Sequence, residues 1–178
     1  MELFHVSTHN KKMNSIDMGI KKKCDIRYVS YLFYSATSFE EFLSAFNSDI
    51  TKACSAEKKW SPEKLATEAI FEYVRTEKHP ESPSRLCYAY FSESYEKAKE
   101  FNEKYRSGNG AIFKFTADPQ NTYHYDMDIF DEAVKMFETG VTLKSYEKVM
   151  ALAEIYWNQT IKGETEILYK GYPILTRL

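Results

Sequence analysis

The stretch RLCYAYFSESYEKAKEF, residues 85–101, constrains this chain more than any other. Leu86, Tyr88 and Tyr90 alternate with Cys87, Ala89 and Phe91, so both sides of a strand here are apolar and both must be covered. Ser92 then reads as the cap of a helix whose first turn carries Glu93 and Glu96, acids favoured beside a positive helix N-terminus. That helix should end around Ser107-Gly108-Asn109-Gly110. A strand covered on both faces and running straight into a helix demands a layered domain.

The order of the remaining elements decides which layered class. Residues 2–7 read as a short strand, followed by a polar, weakly helical segment that stops at Gly19. IRYVSYLFY (26–34) has the β-branched and aromatic content of a strand. Ser38 and Glu41 have capping-box spacing, and Phe39, Phe42, Leu43, Phe46 and Ile50 recur at helical intervals, which predicts a helix over about 39–54. Ser61-Pro62 opens a second helix, to about 77, with Leu65, Ala66, Ala69, Ile70, Tyr73 and Val74 on one face. AIFKFTA (111–117) and TYHYDM (122–127) are strands around the turn Asp118-Pro119-Gln120-Asn121. A short helix near 129–138 ends at Gly140, and Ser145 begins another, striped by Tyr146, Val149, Met150, Ala153, Tyr156 and Trp157. ETEILY (164–169) and YPILTR (172–177) close the chain. Helices set among short strands, without regular βαβα alternation, indicate an α+β fold rather than a doubly wound sheet. No GxGxxG or P-loop occurs, which argues against Rossmann and kinase-like nucleotide sites.

With 178 residues and no repeat, low-complexity tract or long linker, residues 1–178 are expected to form one domain with a real core, most simply a monomer. The net charge of −2 gives no global attraction to nucleic acid or to an anionic membrane, and Lys21-Lys22-Lys23 is too short to change that. No segment approaches the ~20 apolar residues a membrane helix needs, and the N-terminus lacks the pattern of an export signal. Cys24, Cys54 and Cys87 form no CxxC pair and read as reduced thiols. The expected location is cytoplasmic, whether of its own cell or of a host.

The first strand carries the stretch LFHVSTH, where His5 and His9 stand at i and i+4. Val6 occupies the place of the glutamate in an HExxH site, and on a strand the two imidazoles lie roughly 13 Å apart, too far for one zinc. No metal site is expected. No cysteine sits in a turn or helix start that would lower its pKa, which weakens a Cys-His nucleophile. Asp126, Asp128, Asp131 and Glu132, at a strand leading into a helix, read as caps.

Three pieces taken together, LFHVST on the first strand, CYAYFSESYEKAKEF on a middle strand entering a helix, and GETEILY on a late strand, resemble the ADP-ribosyltransferase superfamily. The His-Tyr-Glu positions of that superfamily fall on His5, Tyr90 and Glu166. Arg85, the pair Asp126-Met127, Tyr156-Trp157 and the Glu-x-Glu of 164–166 look like an uncharacterised bacterial branch. The resemblance spans nearly the whole chain and implies two packed, mainly antiparallel sheets with flanking helices and an NAD cleft. It implies NAD as substrate and transfer of ADP-ribose to an acceptor, be it protein, nucleic acid, small molecule or water. Glu166 would hydrogen-bond the ribose 2′-hydroxyl and stabilise the positive charge that develops as the nicotinamide leaves. His5 would hold the adenosine-side ribose while the backbone at Val6 and Ser7 grips the carboxamide. Tyr90 would stack on the nicotinamide, with Tyr95 or Phe101 as a second wall, and Arg85 would reach a phosphate or make a surface ion pair. Glu164, two residues from Glu166 and so on the same side of a strand, would orient the acceptor. Enzymes with Glu-x-Glu commonly open with Arg rather than His, so the two ends of this chain are mixed. Two alternatives stay open: an RNA 2′-phosphotransferase-like enzyme, and a non-catalytic binding or inhibitor module. Either enzyme or module would suit a toxin, an effector or a phage protein.

Overall fold

A computed structural model describes residues 1–7, 61–85, 90–138, 143–171 and 173–178. The chain enters on β1 (Glu2–Ser7), continues among the described residues with α1 (Pro62–Lys78), and then runs β2 (Tyr90–Phe91), α2 (Tyr95–Arg106) and β3 (Ala111–Thr116). After a 3₁₀ turn (Pro119–Asn121) follow β4 (Thr122–Asp126), α3 (Met127–Met136), α4 (Leu143–Trp157), β5 (Thr165–Tyr169) and β6 (Thr176–Arg177). The strand expected over 26–34, the helix over 39–54, Gly19, His9, the lysine run and the three cysteines lie outside the described residues.

The strands form two antiparallel sheets, ordered β1-β3-β6 and β2-β5-β4, so the fold is α+β. Alternation along each strand then sorts side chains to two faces. From the first sheet Leu3, Phe113 and Phe115, and from the second Phe91 and Ile167, meet in one apolar cluster completed by Ala117 and Leu175. Phe91 and Phe115 have ring centroids 4.7 Å apart. The region between the sheets is thus core, and the cleft expected there is filled among the described residues because both facing rows are large and apolar.

The opposite face of the second sheet, with Leu168 and Tyr125, packs on α1, α3 and α4 through Phe71, Val74, Phe130, Phe137, Val149, Tyr156 and Trp157. The Trp157 indole donates to the Phe71 carbonyl at 2.8 Å, which ties α4 to α1 inside that core. Helix α2 lies elsewhere, against β1, where Phe4 meets Tyr95 edge-on at 6.2 Å. Helices therefore cover both outer sides rather than one. The sheets touch at an edge, where Phe4 and Ser92 exchange backbone hydrogen bonds of 2.9 and 2.7 Å.

That edge pairing moves the helix cap. Ser92 has its backbone committed to β1, and Ser94 caps α2, its hydroxyl accepting from the Lys97 N–H at 3.1 Å. The helix unwinds through two left-handed residues, Ser107 (φ 51°) and Gly108 (φ 72°). Helix α3 starts at Met127, earlier than its apolar period suggests, because Asp126 caps it by accepting from the Asp128 N–H at 3.0 Å. Helix α4 starts at Leu143, two residues before Ser145. Of the described residues in the expected strand 172–177, Thr176 and Arg177 pair, with Lys114 and Phe113; Pro173, upstream of them, has no N–H to give to a ladder. No helix among the described residues is long and apolar enough to cross a membrane.

Candidate functional site

Pairing fixes which side chains share a face around β5. Tyr90 lies opposite Leu168 and Tyr125 opposite Glu166, so Tyr90, Tyr125 and Glu166 all point to the helical side of the second sheet. Arg85, five residues before Tyr90, turns into the same space. It is 3% exposed, and Glu166 is 5% exposed.

The guanidinium is held on all sides. Its Nε donates to Glu68 Oε2 at 3.1 Å and its Nη2 to Glu68 Oε1 at 3.4 Å, a bidentate grip from α1. Its Nη1 is ion-paired to Glu166 Oε1 and donates to the Tyr156 hydroxyl at 2.7 Å, and that hydroxyl in turn donates to Glu166 Oε1 at 2.6 Å. The charge sits 3.8 Å from the Phe130 ring centroid and 5.2 Å from those of Tyr90 and Tyr156, an aromatic box that favours a cation. Both hydrogen bonds to Glu166 fall on Oε1, and Oε2 accepts none among the described residues.

Burial raises the pKa of Glu166; Arg85 and the Tyr156 bond oppose this and Glu68 reinforces it, with a net rise. Burial also pushes the Tyr156 and Tyr90 hydroxyls well up, against the pull of Arg85. Both tyrosines are neutral donors at neutral pH. Arg85 stays cationic in spite of its burial because Glu166 and Glu68 stand beside it. Among the described residues, the Arg85 guanidinium is thus paired with both the Glu68 and the Glu166 carboxyl groups.

His5 joins from the next strand. Its Nδ1 is 2.9 Å from the Tyr90 carbonyl oxygen, which can only accept, so Nδ1 carries a proton and the imidazole is oriented by β2. Its ring leans on Phe91 at 5.4 Å. Tyr90 in turn donates its hydroxyl to the Arg85 carbonyl at 3.1 Å. His5, Tyr90, Arg85 and Glu166 thus form one continuous chain of contacts across three strands.

The other expected site residues lie apart from that chain. Arg85 is a buried anchor, not a surface ion pair, because the aromatic box and two carboxylates enclose it. Tyr95 packs on Phe4, which points to the opposite side of β1 from His5, and Phe101 packs on Tyr105 at 4.9 Å; neither faces the Tyr90 ring. Val6 and Ser7 pair with Ile112 and Ala111 of β3. Glu164 falls just outside β5, where strand alternation does not orient its side chain, which is 48% exposed and 3.8 Å from Lys104. Sequence reasoning missed Glu68, a lone glutamate on the apolar side of α1, and assigned Tyr156 to the core stripe without its hydroxyl's role. The out-of-place charge at position 68 was the available signal.

Among the described residues, two open cavities share no lining residue with this cluster. One, of about 350 Å³, is lined by Tyr95, Lys99, Asn102, Ile112 and Arg177 among others; a second, of about 490 Å³, lies by Lys114, Tyr169 and Ile174. Among the described residues no group of three His, Cys, Asp or Glu side chains is placed to hold a metal ion.

Comparison with known proteins gives one family match: the model for a protein of unknown function, DUF2441, covers residues 3–173. No curated protein matches the chain.

Proposed function

For a chain that belongs to the DUF2441 family, we propose, from its site and its motifs, an NAD-dependent ADP-ribosyltransferase. The single observation that carries the proposal is the contact chain from His5 through Tyr90 and Arg85 to Glu166: the three motifs of the resemblance converge on one corner of the fold. In this reading NAD is the substrate and Glu166 its principal catalytic group. Cleavage of the nicotinamide–ribose bond develops positive charge on the ribose, as in glycoside hydrolysis, and a fixed carboxylate beside it stabilises charge present only in the transition state. Arg85 and Tyr156 hold Oε1 in place, leaving Oε2 to accept a ribose hydroxyl. Tyr90 and His5 flank the nicotinamide and ribose, and Glu164, exposed near Lys104, faces the acceptor. The dispersed cysteines suit a reducing compartment, so the reaction belongs in a cytoplasm.

The test is nicotinamide release and transfer of adenylate-labelled NAD into lysate by wild type and Glu166→Gln. Release by wild type and at least a hundredfold less by the variant is the expected result, on the scale of losing one group that acts in the transition state. The burial of Glu166 favours a second reading, a non-catalytic module on the same scaffold. Heat of NAD binding without nicotinamide release would select it, and equal release by Glu166→Gln would remove Glu166 from the reaction.

A further inference from the structure

Helix α1 grips the segment before β2 at two successive residues. Glu72 accepts from the Ser84 hydroxyl at 2.9 Å, and Glu68, one turn earlier, takes Arg85 through both oxygens. Arg75 adds a bond to the Ser82 carbonyl at 3.1 Å. Holding this loop needs no second buried charge, since an apolar side chain at 68 would pack against the same core and avoid its desolvation cost. Yet Glu68 is 1% exposed and stands across the guanidinium from Glu166. One guanidinium is thus shared between the Glu68 and Glu166 carboxyl groups.

We infer that Glu68 is a positioning residue for Glu166: through Arg85 it fixes Oε1 of Glu166 while sharing the guanidinium, so that the Glu166 carboxylate is anchored without being neutralised. The inference rests on the transferase reading for its role in rate, and on geometry alone for the coupling. Among the described residues, the groups that face Glu166 are Arg85, Glu68 from α1, Tyr90 from β2, Tyr125 from β4 and Tyr156 from α4; Glu72 stands one turn beyond Glu68, and α3 contributes the uncharged Phe130. Among these only Glu68 adds negative charge directly on Arg85 besides Glu166 itself.

Three forms of the full chain test it: wild type, Glu68→Gln and Glu68→Asp. The readouts are the pH profile of nicotinamide release and the ¹³C titration of side-chain carboxyls, with the Glu166 signal assigned by its loss in Glu166→Gln. In Glu68→Gln one neighbouring negative charge is gone and Arg85 serves Glu166 alone, so the Glu166 midpoint and the acid limb of kcat/KM both move to lower pH. The kcat falls roughly tenfold or more, with little change in KM for NAD, on the scale of one charge-assisted hydrogen bond. Glu68→Asp keeps the charge and loosens the grip, so its midpoint stays near that of wild type while kcat still falls. A Glu166 midpoint unmoved in folded Glu68→Gln overturns the inference; if that variant does not fold, a wild-type kcat in Glu68→Asp overturns it instead. Should no form release nicotinamide, the transferase reading fails, and the carbon titration still decides whether Glu68 governs Glu166.

Discussion

Arg85 is the residue on which the buried cluster turns. Two carboxylates, a tyrosine hydroxyl and three ring faces converge on one guanidinium, and the carboxylates would be costly to bury without it. Arg85→Met keeps much of the volume but leaves Glu68 and Glu166 buried without a cation. A loss of about 3–5 kcal/mol in urea unfolding is expected, the range for breaking a buried ion pair from one side. Arg85→Lys should recover only part of this, since a single ammonium cannot reproduce the bidentate grip on Glu68 together with the bonds to Glu166 and Tyr156. A melt of Arg85→Met indistinguishable from wild type would show that the cluster contributes nothing to stability.

Among the elements, the joins between strand and helix are where local chemistry is most exposed to test. Ser94, not Ser92, satisfies the first turn of α2, so Ser94→Ala should cost about 1 kcal/mol and Ser92→Ala less, because Ser92 is committed through its backbone. Equal losses, measured by thermal unfolding, would put the cap in the wrong place. At the start of α3, Asp126 accepts from the N–H groups of Lys162 (2.7 Å), Gly163 (2.9 Å) and Asp128 (3.0 Å), clamping the loop before β5 to the end of β4. Burial opposes ionisation of Asp126, but these backbone bonds outweigh it and hold the carboxyl below the usual aspartate range. A depressed folded value means the stabilisation is complete above the unfolded value, about 3.9, and is lost as pH falls through the folded one. Asp126→Asn should therefore be less stable at pH 7 and show a shallower loss of stability below about pH 4. Gly163 belongs to the same clamp, since a β-carbon there would lie 2.9 Å from Asp126 Oδ1 and closer still to the Asp128 carboxyl.

For the whole molecule, the packed interface between the sheets governs stability. Phe91 is central to it, touching His5, Phe115 and Tyr169. Phe91→Ala should cost about 3–5 kcal/mol and open a void beside the His5 ring. If Phe91→Ala unfolds at the wild-type urea concentration, the two sheets do not form one cooperative core.

Much of this architecture was legible in local pattern. The alternating strands 2–7, 111–116 and 122–126, the cap at Ser61 and the apolar stripe of α4 follow from backbone geometry and side-chain period, which act over a few residues. The α+β class followed from their order. Which partner each polar group meets depends on packing between elements far apart in the chain. Ser92 is a plausible cap by sequence, but pairing with Phe4 takes its backbone and passes the cap to Ser94. Glu164 and Glu166 look like a matched pair, but β5 begins between them and leaves one in water and the other beneath two helices. Glu68 and Arg85 are 17 residues apart and Arg85 and Glu166 are 81 apart, so no local rule could join them. Their meeting is set by how α1, α4 and the second sheet pack, because a buried charge is tolerated only where the fold brings it a partner.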